Sequence, residues 1–151
     1  SNSYIKKTIS TTTPGSEILG YNNTAIIEKV GESYNEAQTG SGEFMTILTA
    51  FRTANDVSSN CSKWYLPSYA ELKQIQDNYA TIEASIQKAN GTLVQFSDFA
   101  TNTTDKFYWS SDLRGGQYGW VSPLADTTDA NLYISRNSNN YKGYFRFAIA
   151  F

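Results

Sequence analysis

The chain of 151 residues contains no histidine. Imidazole is the commonest general base near neutral pH, the commonest metal ligand and the usual partner of a serine or cysteine nucleophile. Its absence removes Ser–His and Cys–His catalysis and leaves any zinc site to one thiolate and carboxylates, a poor donor set. Cys61 is the single cysteine, so no disulfide can form within the chain and cysteine usage does not reveal the redox compartment. No apolar run approaches the roughly 20 residues of a membrane-spanning helix. Charge of one sign is also missing. Twelve basic against fourteen acidic residues give a net charge of −2, without the basic face that nucleic acid requires. No methionine opens the chain, and a start of Ser1-Asn2-Ser3 is what a piece of a longer protein would show.

What is present is tyrosine, eleven of them, with three tryptophans and many Asn, Ser and Thr. Tyr and Trp give rigid contact area at low entropic cost, and Ser and Asn give adaptable hydrogen bonds, the mixture of a binding surface. The same aromatics also favour β-strands, so composition alone leaves both readings open.

Along the chain, residues 1–18 read as a lead-in strand or linker ending at the Pro14-Gly15 break, and 19–151 as one domain. "TAIIEKV" is too short to assign. Phe44, Ile47, Leu48, Phe51 and Ala54 fall at helical spacing and predict a helix over 43–56. Ser68 followed three residues later by Glu71 is a capping box. Leu72, Ile75, Tyr79, Ile82 and Ile86 make one apolar stripe behind it, and Asn90-Gly91 is a stop. A second helix is predicted over 68–89, its stripe facing the core. Strand patterns follow at 93–96, 107–111, 117–122, 131–136 and 143–150, separated by polar loops. In the last, "YFRFAIAF", both faces are largely apolar, which predicts a central strand. The fold class is α+β, two helices followed by a twisted antiparallel sheet with long polar loops.

Three phrases stand at a telling spacing: "WYLPSYAEL" at 64–72, "YWSSD" at 108–112 with "YGWVSPL" at 118–124, and the arginine-bearing "FRFAIAF". Together with "GYNNTAII" at 20–27, they resemble the C-terminal domain family of bacterial collagen-like adhesins. The matching positions are Trp64, Leu66, Pro67, Ser68, Glu71, Leu72, Tyr108, Trp109, Ser110, Ser111, Trp120 and Arg146. The resemblance covers about 19–151. It departs from the family in the last strand, where members often show Val-Arg-x-Val. It implies a C-type-lectin-like fold related to that of hypervariable receptor-binding proteins, an extracellular or outer-surface bacterial location and, for most members, no demonstrated activity. It also implies ligand-facing positions between the Trp-Ser-Ser strand and the final strand.

Trp64 and Trp109 read as core, whereas Trp120, beyond the Gly115-Gly116 break, is expected on a loop surface. The segment "NLYISRNSNNYKGY" at 131–144 sets tyrosines beside asparagines and Arg136, as a sugar- or protein-binding hairpin would. An ordinary polar turn gives the same composition. The ligand-binding candidates are therefore Asp112, Arg114, Gln117, Tyr118, Trp120, Asn131, Tyr133, Arg136, Asn137, Asn139, Asn140 and Tyr141. Asp126, Asp129 and Asn131 lie close in sequence but lack the glycine and distal glutamate of a calcium loop, so a solvated acidic loop is expected, with no metal and no cofactor. Asp98, Asp105 and Asp112 are the only carboxylates offered for a hydrolase. No catalytic residue is assigned.

The expected function is non-enzymatic recognition by a bacterial surface or secreted protein. The partner is a glycan or a protein of a host or neighbouring cell, and display is multimeric on a longer chain, with neither nucleic-acid binding nor membrane insertion. The alternatives are a purely structural module of a fimbrial or surface lipoprotein and a carboxylate-based hydrolase.

Overall fold

A computed structural model describes residues 18–33, 41–94, 107–114, 118–124, 133–135 and 143–151. Four helices precede three strands in the chain: α1 (Gly20–Ser33), α2 (Ser41–Ala54), α3 (Tyr69–Asp77), α4 (Tyr79–Lys88), β1 (Tyr108–Arg114), β2 (Tyr118–Ser122) and β3 (Tyr133–Ser135). The class is α+β as expected, with twice the expected helices among the described residues.

α1 was not legible in the sequence, because Gly20, Asn22 and Asn23 are weak helix formers. It is held by what it touches. Asn23 and Thr24 are buried, Ile27 packs against the cluster of Phe44, Leu48 and Leu66, and Glu28 pairs with Arg52 of α2. Tertiary contacts thus override local preference.

The long helix predicted over 68–89 is two helices. Its start is as expected. The Ser68 hydroxyl accepts from the Glu71 N–H (3.3 Å) and the Glu71 carboxylate accepts from the Ser68 N–H (2.7 Å). The break falls at Asn78, whose backbone leaves the helical region (φ −115°, ψ 23°). Its side-chain amide donates to Gln74 O at 2.9 Å while its carbonyl accepts from Thr81 and Ile82. Asparagine competes with the helix in this way by bonding nearby backbone. The stop at Asn90-Gly91 is where the sequence puts it. Asn90 is left-handed (φ 57°) and the Gly91 N–H reaches back to Ile86 O at 2.9 Å. The apolar stripe also faces inward as predicted: Ile75, Tyr79, Ile82 and Ile86 pack on Leu72, Leu93, Tyr108 and Leu124.

The sheet is antiparallel with order β1-β2-β3. β1 is irregular. Trp109 pairs with Val121 and Leu113 with Gly119, so three residues, Ser110 to Asp112, oppose the single Trp120. Such a bulge bends a strand and re-aims its side chains. Here the Ser110 hydroxyl donates to Trp120 O (2.8 Å) and accepts from the Asp112 N–H (3.2 Å), which turns Ser111 and Asp112 toward the helices.

Two strand expectations are corrected. Leu93 and Val94 form no strand. Their carbonyls accept from the hydroxyls of Tyr79 (2.7 Å) and Tyr108 (3.1 Å), while 95–96 lie outside the described residues. Residues 143–150 do not form a central strand either. The segment makes isolated bridges, Tyr144 to Tyr108 and Ala148 to Tyr65. Its two apolar faces have another cause. Phe145 and Phe147 cover Phe44 of α2 (ring centroids 5.3 and 6.4 Å), and Tyr144 packs on Tyr108 (6.1 Å).

Candidate functional site

The motif residues converge, but on one another. The Glu71 carboxylate, besides closing its cap, accepts from the Gly20 N–H (3.1 Å) and from the Tyr65 hydroxyl (2.9 Å). A Cβ on Gly20 would stand 2.3 Å from the Glu71 carboxylate and 2.8 Å from Leu66 O, so only glycine lets α1 begin there. The Thr24 hydroxyl accepts from the Leu66 N–H (2.9 Å) and the Ser111 N–H donates to Pro67 O (2.8 Å). The Asp112 carboxylate accepts from the Asn23 side-chain amide (2.8 Å) and from the Tyr69 N–H (2.7 Å) at the first turn of α3. The Asn23 amide also reaches the Ser111 hydroxyl at 3.2 Å. An anionic oxygen at a helix N-terminus meets unsatisfied N–H groups and the positive end of the helix dipole.

The electrostatics are those of a buried joint. Burial pushes the Asp112 carboxyl above its ordinary value, against the opposing pull of the Tyr69 N–H and the Asn23 amide. The Tyr65 hydroxyl is pushed up to about 12, first by burial and then by the Glu71 carboxylate. Each carboxylate is committed to bonds within the fold, so neither has the free geometry of a hydrolytic pair. Asp98 and Asp105 lie outside the described residues.

The structure separates the remaining candidates. Trp120 is not on a loop surface. It sits in β2, fully buried, its ring packed on Tyr69 at 5.8 Å. β2 lies within the strand expected over 117–122, and Trp120 belongs to that strand's buried side rather than to the loop before it. Asp112 is likewise interior, 7 % exposed. Arg114 and Tyr118 pair with each other across β1 and β2, and Tyr118 pairs with Ser135 of β3. β3 therefore leaves the sheet toward Arg136 at the same end as the β1–β2 connection that carries Gln117. Tyr133 pairs with Trp120 further down. Gln117, Asn131, Arg136, Asn137, Asn139, Asn140 and Tyr141 lie outside the described residues, as do Asp126 and Asp129. Among the described residues no cluster of three or more Cys, Asp or Glu could hold a metal ion.

Trp109 is half-buried, edge-on to the buried Phe107 at 5.1 Å. Trp64, expected in the core, is half-buried too. Its indole N–H donates to Asn55 O at 2.7 Å, Phe51 lies edge-on to it at 5.2 Å, and Arg52 donates to its carbonyl. Sequence reasoning missed the feature that Trp64 helps to build. A groove of about 550 Å³ between α2 and the closing segment is lined by Ile47, Phe51, Trp64 and residues 143–147. The alternation of Phe145 and Phe147 was the available signal.

Comparison with known proteins gives one distant relative. The chain is 26 % identical over 139 residues to a Bacteroides ovatus protein named "Putative fimbrium tip subunit Fim1C". The match takes in 88 % of this chain but 23 % of the relative, so the chain spans less than a quarter of that protein's length. No protein-family model matches the chain, and no solved structure matches it. Among the described residues no helix is long and apolar enough to cross a membrane.

Proposed function

We propose that this chain is a non-enzymatic recognition module of a bacterial surface protein, of C-type-lectin-like architecture. It meets its ligand at the end of the sheet where Arg114, Tyr118 and the exit of β3 come together. The observation that carries the reading is the strand register. Arg114, Tyr118 and Ser135 stand in one rank, so the two polar connections that the sequence marks as a binding surface leave the sheet side by side. Loops held at one end of a rigid sheet are a common way to build a binding site. The fimbrium tip name of the relative supports display at a cell surface, on a longer chain. Repeated display converts modest affinity per module into avidity. The ligand class is a glycan or a protein on a host or neighbouring cell, gripped by aromatic stacking and by Asn and Arg hydrogen bonds.

A structural role within a fimbria is the second reading, favoured by the commitment of Glu71 and Asp112 to the fold. A glycan and extracellular-matrix array, probed with the multimerised chain and with an Arg114→Ala/Tyr118→Ala variant whose fold is checked by circular dichroism, separates them. Binding by the wild type that the folded variant loses supports recognition at this end. No binding by the multimerised wild type favours the structural module.

A further inference from the structure

The stop of α4 is built on the chain's one Asn-Gly step. Two bonds close it. The Asn90 N–H donates to Gln87 O and the Gly91 N–H to Ile86 O, both at 2.9 Å. This pair is the Schellman motif, which asks for a left-handed residue between the helix and its exit. Asn90 fills that place at φ 57°, a conformation that asparagine tolerates better than most residues. Position 91 is fixed by packing. A Cβ there would stand 2.7 Å from Cγ2 of Ile86, whose side chain packs on the core. Backbone shape thus suits asparagine followed by glycine. Both residues are exposed to water. The same dipeptide is chemically labile, because no Cβ on the glycine hinders the approach of its nitrogen to the asparagine side chain.

We propose that Asn90 is a deamidation site gated by this cap. The Gly91 nitrogen gives its proton to hydroxide and attacks Asn90 Cγ. A C–N bond forms, the bond from Cγ to the side-chain nitrogen breaks, and that nitrogen leaves as ammonia. Water then opens the imide ring. Opening at Cγ gives aspartate. Opening at the main-chain carbonyl gives isoaspartate, with the chain rerouted through the former side chain. Nothing is oxidised or reduced. The closed cap blocks the first step in two ways. The attacking N–H is held on Ile86 O. Ring closure also needs the Asn90 Cα–C bond to turn until the Gly91 nitrogen eclipses Cβ, which takes Asn90 out of its left-handed turn. Deamidation therefore waits for the helix end to open, and fraying ends are among the least stable parts of a fold. The product keeps the end open. Isoaspartate adds a methylene to the main chain, so the spacing that sets Gly91 on Ile86 O is lost. In either product the new carboxylate meets the negative end of the α4 dipole. The disturbance passes on, because the next three carbonyls are each held by a side chain. Thr92 O accepts from Arg146 (3.3 Å), Leu93 O from the Tyr79 hydroxyl (2.7 Å) and Val94 O from the Tyr108 hydroxyl (3.1 Å). Conversion at position 90 loosens the strap that ties α4 to β1 and to the closing segment.

The test incubates the intact chain in mildly alkaline buffer, with and without unfolding urea. Peptide mapping that separates asparagine, aspartate and isoaspartate follows position 90. Conversion to both acids is expected in both samples, about fivefold slower in the folded chain, the factor set by one hydrogen bond that must first open. Amide hydrogen exchange at Gly91 is the second measurement and needs no variant. Below the unfolding transition, added urea should raise exchange at Gly91 and conversion at Asn90 by the same factor. The converted chain, isolated by anion exchange, should exchange its Gly91 amide faster than the starting chain. Asn90→Gly keeps a left-handed residue in place and should form no isoaspartate in this peptide. Equal rates folded and unfolded, conversion that does not follow Gly91 exchange, or no conversion in the unfolded chain overturns the proposal. So does a converted chain whose Gly91 amide is as slow as before, which would mean that the cap survives the modification.

Discussion

Two regions of this molecule treat polar groups in opposite ways. Where α1, α3 and β1 meet, the carboxylates that the sequence motifs supply are used up within the fold. Glu71 takes three donors and Asp112 two. The closing segment is held otherwise: Tyr144 and Ala148 bond through their main chain, and the rings of Phe145 and Phe147 cover Phe44. Motif residues can look like a site, with paired acids, serines and tryptophans at fixed spacing, and still serve only to join helices to a sheet. The closing segment is anchored by backbone and phenylalanine, which no motif advertises.

The contrast can be broken by substitution. Trp120→Ala is expected to be the largest loss, about 3–5 kcal/mol of stability for emptying a fully buried site. Urea denaturation measures it, and a loss below about 1 kcal/mol would return Trp120 to the surface. Asp112→Asn comes next, at about 1–3 kcal/mol for a buried donor left facing a donor. It also carries a pH signature. The folded pKa of Asp112 is raised above its ordinary 3.8, so its ionisation opposes folding. The stabilising contribution is fully present below that ordinary value and is lost as pH rises through the folded pKa. The stability gap between wild type and Asp112→Asn should thus narrow as pH rises through this window. A gap that widens would mean the two donors outweigh burial. Smallest is Ile47→Ser on the groove rim, within about 0.5 kcal/mol by the same denaturation. A larger cost would mean that the groove is closed against another part of the chain.

Legibility followed locality. The capping box, the stop at Asn90 and the apolar stripe of α3 and α4 depend on residues a few positions apart, and all stand where sequence spacing puts them. The break at Asn78 was also local, a side chain competing for Gln74 O, but its signal was one residue against a strong apolar period. α1 was hidden because its reasons lie far away, in Leu66, Glu71 and Asp112. The interior place of Trp120 was hidden because a short strand with Gly119 and Trp120 side by side does not say which side meets the core, although the strand itself was expected over 117–122. The character of residues 143–150 was half visible. The alternation was right, but "apolar on both faces" describes a bridged segment with aromatic rings on either side as well as a central strand.

The Glu71 carboxylate collects N–H groups from positions 20 and 68, and Asp112 reaches back 89 residues to Asn23. Neither joint can form until long stretches of chain have closed on themselves, an entropic cost met before any bond compensates it. The helices on either side can be sampled early, since their contacts are local, but the wedge that fixes their angle arrives last. This is the topology of a slow folder, one whose rate is set by distant polar partners finding each other rather than by the helices themselves.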